Sequence, residues 1–406
     1  MINVIGMGYI GLPTALMFAK SGIEVVGTDY NVELINLLDS GELPFQEQGM
    51  TELFTEAIEN GIKFTNNYVK ADTYILAVPT PYISESKKLD PKYVISAFNS
   101  VLDVCDFGAK IIIESTISPG TIDKYIRPEA NKRGLEIGKD IHLLHAPERI
   151  IPGNMVYELK YNSRTVGADD SEVGEAVKEM YSSFCTSKIT VTDIRSAEMS
   201  KVVENTFRDI NIAFANELAK ICRVDEMDVY EIIKIANEHP RVNILQPGPG
   251  VGGHCISVDP WFLVGDYPDL TNMILTARKT NDSMPSHVLS RIRDIMRENG
   301  IKDTSKVGLY GLAYKENVDD TRESPTLQLL EKMDEHLAFG VKVFDPLISE
   351  HIVENQFMDF EKFLEEVEIM VVMVGHEHIK ENIHKLRNKL VLDTKNIYPF
   401  DGAYKL

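Results

Sequence analysis

Residues 2–11 read INVIGMGYIG. A short apolar run, a strand candidate, leads straight into Gly6-x-Gly8-x-x-Gly11, which opens the helical run PTALMFAKSG. The next strand candidate, EVVGTD, ends on Asp29, and an acidic residue roughly 20 positions on is what a dinucleotide-binding βαβ unit requires. Glycines there permit a tight turn and close approach of backbone to a pyrophosphate, and the helix N-terminus adds a positive dipole. Gly8, Tyr9, Ile10 and Gly11 are the candidate phosphate-side residues. Asp29 would bind a ribose diol and repel a 2′-phosphate. Tyr30 and Asn31 follow with no arginine, which favours NAD over NADP.

The pattern continues outward from this unit. TYILAVP, KIIIEST and IHLLHAP are further strand candidates, apolar nearly throughout, as strands covered on both faces are. Strand-end residues Pro79, Thr80, Ser115 and Thr116 should line the same crevice, because ligands sit at the carboxyl ends of parallel strands. Residues 195–237 read as long helix. A glycine-rich loop and another helical stretch, ending near Gly300, follow. From Lys306 the alternation resumes, with KVGLYG, VKVFDP, IMVVMV and LVLDT as strands and SPTLQLLEKM and DFEKFLEEV as helices. No repeat is visible in the sequence itself. The expected fold is α/β: two Rossmann-like doubly wound domains, residues 1–194 and 301–406, joined by a helical central domain, residues 195–300.

The 406 residues are 44% hydrophobic and 26% charged, and 42 basic against 62 acidic residues leave a net charge of −20. Such a chain does not attract nucleic acid or an anionic membrane surface. No run approaches the ~20 apolar residues of a membrane span, and the N-terminus does not read as a signal peptide. The four cysteines, Cys105, Cys185, Cys222 and Cys255, are scattered without a CxxC pair. This fits free thiols and a cytoplasmic location. His376 and His378 in GHEHIKENIH have no third ligand at a recognised spacing, so no metal site is expected.

A second site is suggested by residues 248–255, GPGVGGHC. A free cysteine is usually a small buried apolar residue. Here, however, Asp259 follows by four residues, and on the preceding helix Lys201 and Asn205 stand at i and i+4, facing the same way. Arg208 is one turn further along. In a helix this apolar, with Ile210, Ile212, Ala213, Phe214 and Ala215 close by, a lysine, an amide and an arginine on one stripe read as pointing into a cleft. His254 is adjacent to Cys255, where it either tunes the thiol or packs.

GMGYIG, EMSKVVENTF, GPGVGGHC and YKENVDDTRES occur in this order and at these intervals. As a set they resemble the nucleotide-sugar 6-dehydrogenases, the UDP-glucose/GDP-mannose dehydrogenase family, across essentially the whole chain. The resemblance implies an NAD domain, a helical middle carrying a homodimer interface, and a UDP-sugar-binding domain. It also implies a four-electron oxidation of a C6 alcohol through a cysteine-bound thiohemiacetal and thioester. By motif Cys255 is the nucleophile, Lys201 and Asn205 stabilise the oxyanion, and Asp259 with Lys201 handles protons through water. Glu148, in APER, is implied as the carboxylate for thioester hydrolysis, with Thr116 positioning the water. Lys315, Gly252, Arg149, Arg208 and Arg241 are implied substrate contacts, Arg241 reaching across the dimer. Arg322 is implied to reach back to NAD, beside the strand-end Thr80 already read as lining that crevice.

The stretch HPRVNILQPGPGVGGHCISVDPWF most resembles the branch acting on UDP-N-acetyl-D-mannosamine. Two departures separate the chain from the UDP-glucose branch. Val258 stands where that branch has a lysine, and Arg149-Ile150-Ile151 follows the catalytic glutamate. UDP-N-acetylglucosamine or UDP-glucose are the alternatives for the same chemistry. A two-electron hydroxy-acid-type dehydrogenase, or a non-catalytic nucleotide-sugar sensor, are the alternatives to it.

Overall fold

A computed structural model describes residues 1–253, 255–336 and 338–406. Its contacts group into two compact units, Met1–Glu204 with Trp261–Asp266, and Asn205–Pro260 with Tyr267–Leu406.

The first unit carries an eight-stranded sheet. Its strands are β1 (Ile2–Ile5), β2 (Val25–Thr28), β3 (Lys63–Thr65), β4 (Thr73–Leu76), β5 (Ala109–Ile113), β6 (Ile141–His145), β7 (Arg164–Ala168) and β8 (Ile189–Thr192). They lie in the order β3-β2-β1-β4-β5-β6-β7-β8. Every pair is parallel except β6 with β7. The five strands read from the sequence are β1, β2, β4, β5 and β6. β1 and β4 are buried at every position, which is why they appear as unbroken apolar runs. Strand β3 is three residues long and partly exposed, and β8 is buried at only one position, so neither gives a hydrophobic signal. Leu12, Leu16 and Phe18 of the helix Gly11–Lys20 join Val4, Ile75, Ile112 and Leu144 in one core.

The second unit carries a six-stranded sheet of β9 (Val307–Tyr310), β10 (Lys342–Phe344), β11 (Gln356–Phe357), β12 (Ile369–Val372), β13 (Leu390–Asp393) and β14 (Tyr404–Lys405), all in parallel pairs. Its order, β11-β10-β9-β12-β13-β14, repeats the order of the first six strands of the other sheet. The repeat is one of topology, with no matching sequence. The later part of the helix Ile194–Val224 and the helices Val229–Ala236 and Met284–Glu298 share a core with this sheet: Ala215, Ala219 and Ile233 pack with Val288, Ile292, Leu309 and Val371. No described helix is long and apolar enough to cross a membrane.

Candidate active site

In each sheet the strand order reverses beside the first strand, at β1/β4 and at β9/β12, and the carboxyl ends there form the crevice where doubly wound sheets bind ligands. After β1, Gly6 takes φ +94°, and a Cβ on it would stand 2.4 Å from the Ala77 carbonyl oxygen. A Cβ on Gly11 would stand 1.9 Å from the Gly6 oxygen, whereas one on Gly8 would meet nothing within 4 Å. Gly6 and Gly11 are thus required by packing. Gly8 is required only if something else occupies the open side of the turn. An exposed turn with free space at its middle glycine, leading into a helix N-terminus, fits a pyrophosphate.

Asp29 sits at the end of β2, where its Oδ2 accepts from Met7 N (2.8 Å) and its Oδ1 from Asn31 N (2.9 Å). It therefore fixes the glycine turn. Tyr9 stacks on Phe45 at 4.3 Å between ring centroids. Thr80 and Thr116 are brought together, the Thr80 hydroxyl donating to the Thr116 carbonyl at 2.7 Å. Ser115 donates to Val78 O at 2.6 Å.

Glu148 is buried three residues beyond β6. Its Oε1 accepts from Arg149 N (2.6 Å) and Ile150 N (3.2 Å), and its Oε2 accepts from Arg164 Nη2. Arg164, the first residue of β7, also faces Glu114, Nη1 to Oε1 at 3.6 Å. Tyr181 donates to that same Glu114 oxygen at 3.1 Å. Burial, then the charge of Glu148, raises the Glu114 carboxyl to about 8. Sequence reading missed Glu114 and Arg164, because a charged residue at a strand end carries no periodic signal. The guanidinium of Arg149, an implied substrate contact, is engaged by Glu204 (2.6 and 2.9 Å), Ser163 O (2.7 Å) and Thr165 Oγ1 (3.0 Å).

Lys201 and Asn205 lie on one helix, Ile194–Val224, and are 6% and 4% exposed. Arg208 is half-buried on the same helix. A lysine and an amide so deeply buried are not a solvated helix face. In the second unit Asn205 Nδ2 donates to Asp259 Oδ2 at 2.6 Å. The Asp259 and Val258 amides donate to Cys255 O at 2.8 and 3.1 Å, so the thiol residue begins the turn that leads into the helix Asp259–Asp266. Cys255 is partly exposed. His254 lies outside the described residues.

The glycines of this loop are there for close approach. A Cβ on Gly252 would stand 2.6 Å from Glu323 O and 2.8 Å from Tyr314 Cβ, and Gly253, at φ +81°, lies against the Tyr314 ring. Gly253 N donates to Arg322 O at 3.0 Å. The loop is thereby laid on the segment that carries Tyr314, Lys315 and Arg322. A buried polar chain fixes its other end. Gly248 N donates to Asn216 Oδ1 (2.9 Å), Asn216 donates to Asn281 (2.9 Å), Asn281 donates to Asp209 Oδ1 (2.7 Å), and Arg278 donates to Asp209 (2.5 Å). None of these supports was read from the sequence.

Lys315 is half-buried beyond β9. The Arg322 side chain is 44% exposed and holds Asp320 through Nε (2.9 Å) and Nη2 (2.6 Å). Arg241 is exposed. His376 accepts from Asn317 N at 2.9 Å and faces Asp345 at 3.3 Å, and His378 pairs with the Tyr310 hydroxyl at 3.0 Å. Both imidazoles thus serve the second sheet's own turn and core.

Three profiles of the UDP-glucose/GDP-mannose dehydrogenase family match the chain: its NAD binding domain over residues 1–185, its central domain over 195–283 and its UDP binding domain over 308–400. The UDP-N-acetyl-D-mannosamine dehydrogenase of Methanocaldococcus jannaschii is 43% identical over 98% of this chain and 92% of its own. An NDP-N-acetyl-D-galactosaminuronic acid dehydrogenase of Ralstonia nicotianae is 36% identical over 98% and 96%. The structure of the UDP-N-acetyl-mannosamine dehydrogenase of Staphylococcus aureus superposes with a TM-score of 0.89 at 38% identity, covering 100% of this chain and 97% of that one. The glycine turn, the paired sheets and the loop of Cys255 are therefore those of an NAD-dependent oxidoreductase, and the chain belongs to the UDP-glucose/GDP-mannose dehydrogenase family.

Proposed function

We propose that the chain oxidises UDP-N-acetyl-D-mannosamine at C6 to the uronate, in four electrons. The observation that carries this reading is the 43% identity, over nearly the whole length, to a relative named for that sugar. Bound NAD supplies the hydride acceptor, and Gly8, Tyr9, Ile10, Gly11, Asp29, Thr80, Thr116 and Arg322 are the residues that would hold it. Cys255 adds its sulfur to the C6 aldehyde carbon, tethering the carbon as a thiohemiacetal and then, after the second hydride has left, as a thioester. Lys201 and Asn205 supply the cation and the amide donor that a C6 oxyanion needs. The Asn205–Asp259 contact of 2.6 Å orients that amide, because its carboxylate partner accepts only from the NH₂ side. Ionised Glu148 takes the proton of the attacking water, with Thr116 helping to position it. The thiolate then leaves and the carboxylate product is freed. Lys315, Gly252, Arg149, Arg208 and Arg241 are the proposed sugar-nucleotide contacts. Arg149 could serve only by exchanging its present partners.

The domain boundaries at residues 194 and 300, a cytoplasmic location, and supply of a uronate for polysaccharide assembly belong to the same reading. So does a homodimer. In the second unit Phe207, Phe214, Ile221 and Val224 recur at helical spacing on the long helix and are 64%, 51%, 50% and 82% exposed, an apolar stripe of the kind a partner covers.

The test is NADH yield per mole of UDP-N-acetyl-D-mannosamine, with Cys255→Ala alongside. Two NADH from the wild type and failed turnover in the variant are expected. Two NADH only from UDP-N-acetylglucosamine or UDP-glucose would keep the chemistry and replace the substrate. One NADH, unaffected by the substitution, would refute the thioester route.

A further inference from the structure

Two carboxylates and one guanidinium meet deep in the first unit. Glu114 is 0%, Arg164 4% and Glu148 6% exposed. We propose that Arg164 and Glu114 are positioning residues for Glu148: a single guanidinium shared by two buried carboxylates decides which of them is ionised and where it points. The proposal rests on the reading of Glu148 as the carboxylate of thioester hydrolysis.

The hydrogen bonds favour charge on Glu148. It takes the direct bond from Arg164 Nη2 and two backbone N–H groups. Glu114 accepts from the Tyr181 hydroxyl, faces Thr14 and takes the longer approach of Arg164, and no backbone N–H among the described residues bonds to it. A carboxylate that accepts several N–H bonds is stabilised ionised, and a buried one without them is stabilised neutral. Both cannot be charged at once without leaving an uncompensated buried charge. The groups facing Glu114 are Glu148 beyond β6, Arg164 on β7, Tyr181 at the end of the helix Ser171–Tyr181, and Thr14 on the helix Gly11–Lys20. Among them Arg164 is the only cation. When Glu114 does ionise, it competes for Arg164 and draws the guanidinium from Glu148. The base then loses both its counter-charge and the contact that fixes its orientation. The rise of the Glu114 carboxyl to about 8 puts this competition just above neutral pH.

The experiment uses the intact enzyme with UDP-N-acetyl-D-mannosamine and NAD. The Cys255-bound acyl adduct is allowed to form, and its decay is followed by intact-protein mass spectrometry between pH 6 and 9.5. In the wild type, decay should slow about tenfold from pH 7 to 9, as a group titrating near 8 requires. Glu114→Gln should abolish that decline. Arg164→Met, which removes the counter-charge and the contact that orients Glu148, should slow decay about a hundredfold at pH 7, with partial rescue by Arg164→Lys. Glu148→Gln is run beside them. If its adduct decays as fast as wild type, the reading of Glu148 fails and this proposal with it. If Glu148→Gln stalls but the other variants keep the wild-type rate and pH profile, only this proposal is overturned. Should Arg164→Met fail to fold, the pH profile of the near-isosteric Glu114→Gln decides alone.

Discussion

Arg164 reaches Glu148 because β7 runs against β6. Strands β1 to β6 run the same way, so their carboxyl ends gather on one edge, while β7 and β8 run the other way. An antiparallel strand begins at that edge, and its first residue, Arg164, arrives beside the residues that leave β5 and β6. Removing one partner of such a buried pair strands a charge, at a cost of about 3–5 kcal/mol. Urea unfolding of Arg164→Met, Glu148→Gln and the double variant should give strongly non-additive losses, with coupling above about 1 kcal/mol. Simple additivity would mean the two side chains do not interact.

Gly8 and Gly11 belong to one motif but should fail in different ways. Gly11→Ala forces backbone apart, since its Cβ would stand 1.9 Å from Gly6 O. It should lower stability by about 2 kcal/mol or more. Gly8→Ala meets nothing in the protein. It should leave the melting temperature within a degree or two while weakening NAD binding about tenfold or more, read by calorimetric titration. Unchanged NAD affinity in Gly8→Ala would place the pyrophosphate elsewhere.

The glycine spacing, Asp29 and the apolar strands were legible because each is a local pattern with its own period. The supports of the site were not. Asp209 and Asn216 lie on the helix Ile194–Val224 and Arg278 and Asn281 on the helix Asn272–Asp282, and they acquire meaning only once folding has brought the two helices together. Polar residues inside helices otherwise read as surface. The antiparallel turn into β7 was likewise hidden, since strand direction leaves no mark on composition. The second sheet's order was foreseen only as a fold class, because β11 and β14 are two residues each.

Asn216 links Gly248 to Asn281 and is fully buried. Asn216→Ala leaves a donor and an acceptor unmet, each costing about 1–3 kcal/mol. It also frees the start of the loop that carries Cys255. Turnover should fall about tenfold to a hundredfold, with NAD affinity unchanged. A variant destabilised but fully active would show that this anchor holds the fold and not the loop.

Glu198 is buried, and both its oxygens accept from backbone amides, Gly120 N at 2.5 Å and Ile122 N at 3.0 Å. Burial nonetheless raises it to about 7, the two amide bonds opposing the rise. A carboxyl raised on folding binds its proton more tightly in the folded state. Its stabilising contribution is therefore complete below the unfolded value and is lost as pH climbs from about 4.5 to 7. The loss is at most about 3 kcal/mol by the linkage relation. Wild type should lose stability over this interval more steeply than Glu198→Gln, measured by urea unfolding at fixed pH. Parallel curves for the two proteins would remove Glu198 as the titrating group.

The exposed stripe of Phe207, Phe214, Ile221 and Val224 yields the last expectation. Single exposed apolar residues are ordinary, but two phenylalanines and two aliphatics in register on one helix are a contiguous face. The chain's charge of −20 opposes self-association, so a dimer must be held by apolar burial against that repulsion. Screening the charge with salt should then strengthen it, the reverse of an interface held by ion pairs. Sedimentation of the wild type should give a dimer whose dissociation constant falls from low to moderate salt. Phe207→Glu with Phe214→Glu should give a monomer at both. A dimer indifferent to this double substitution would mean that another surface joins the subunits.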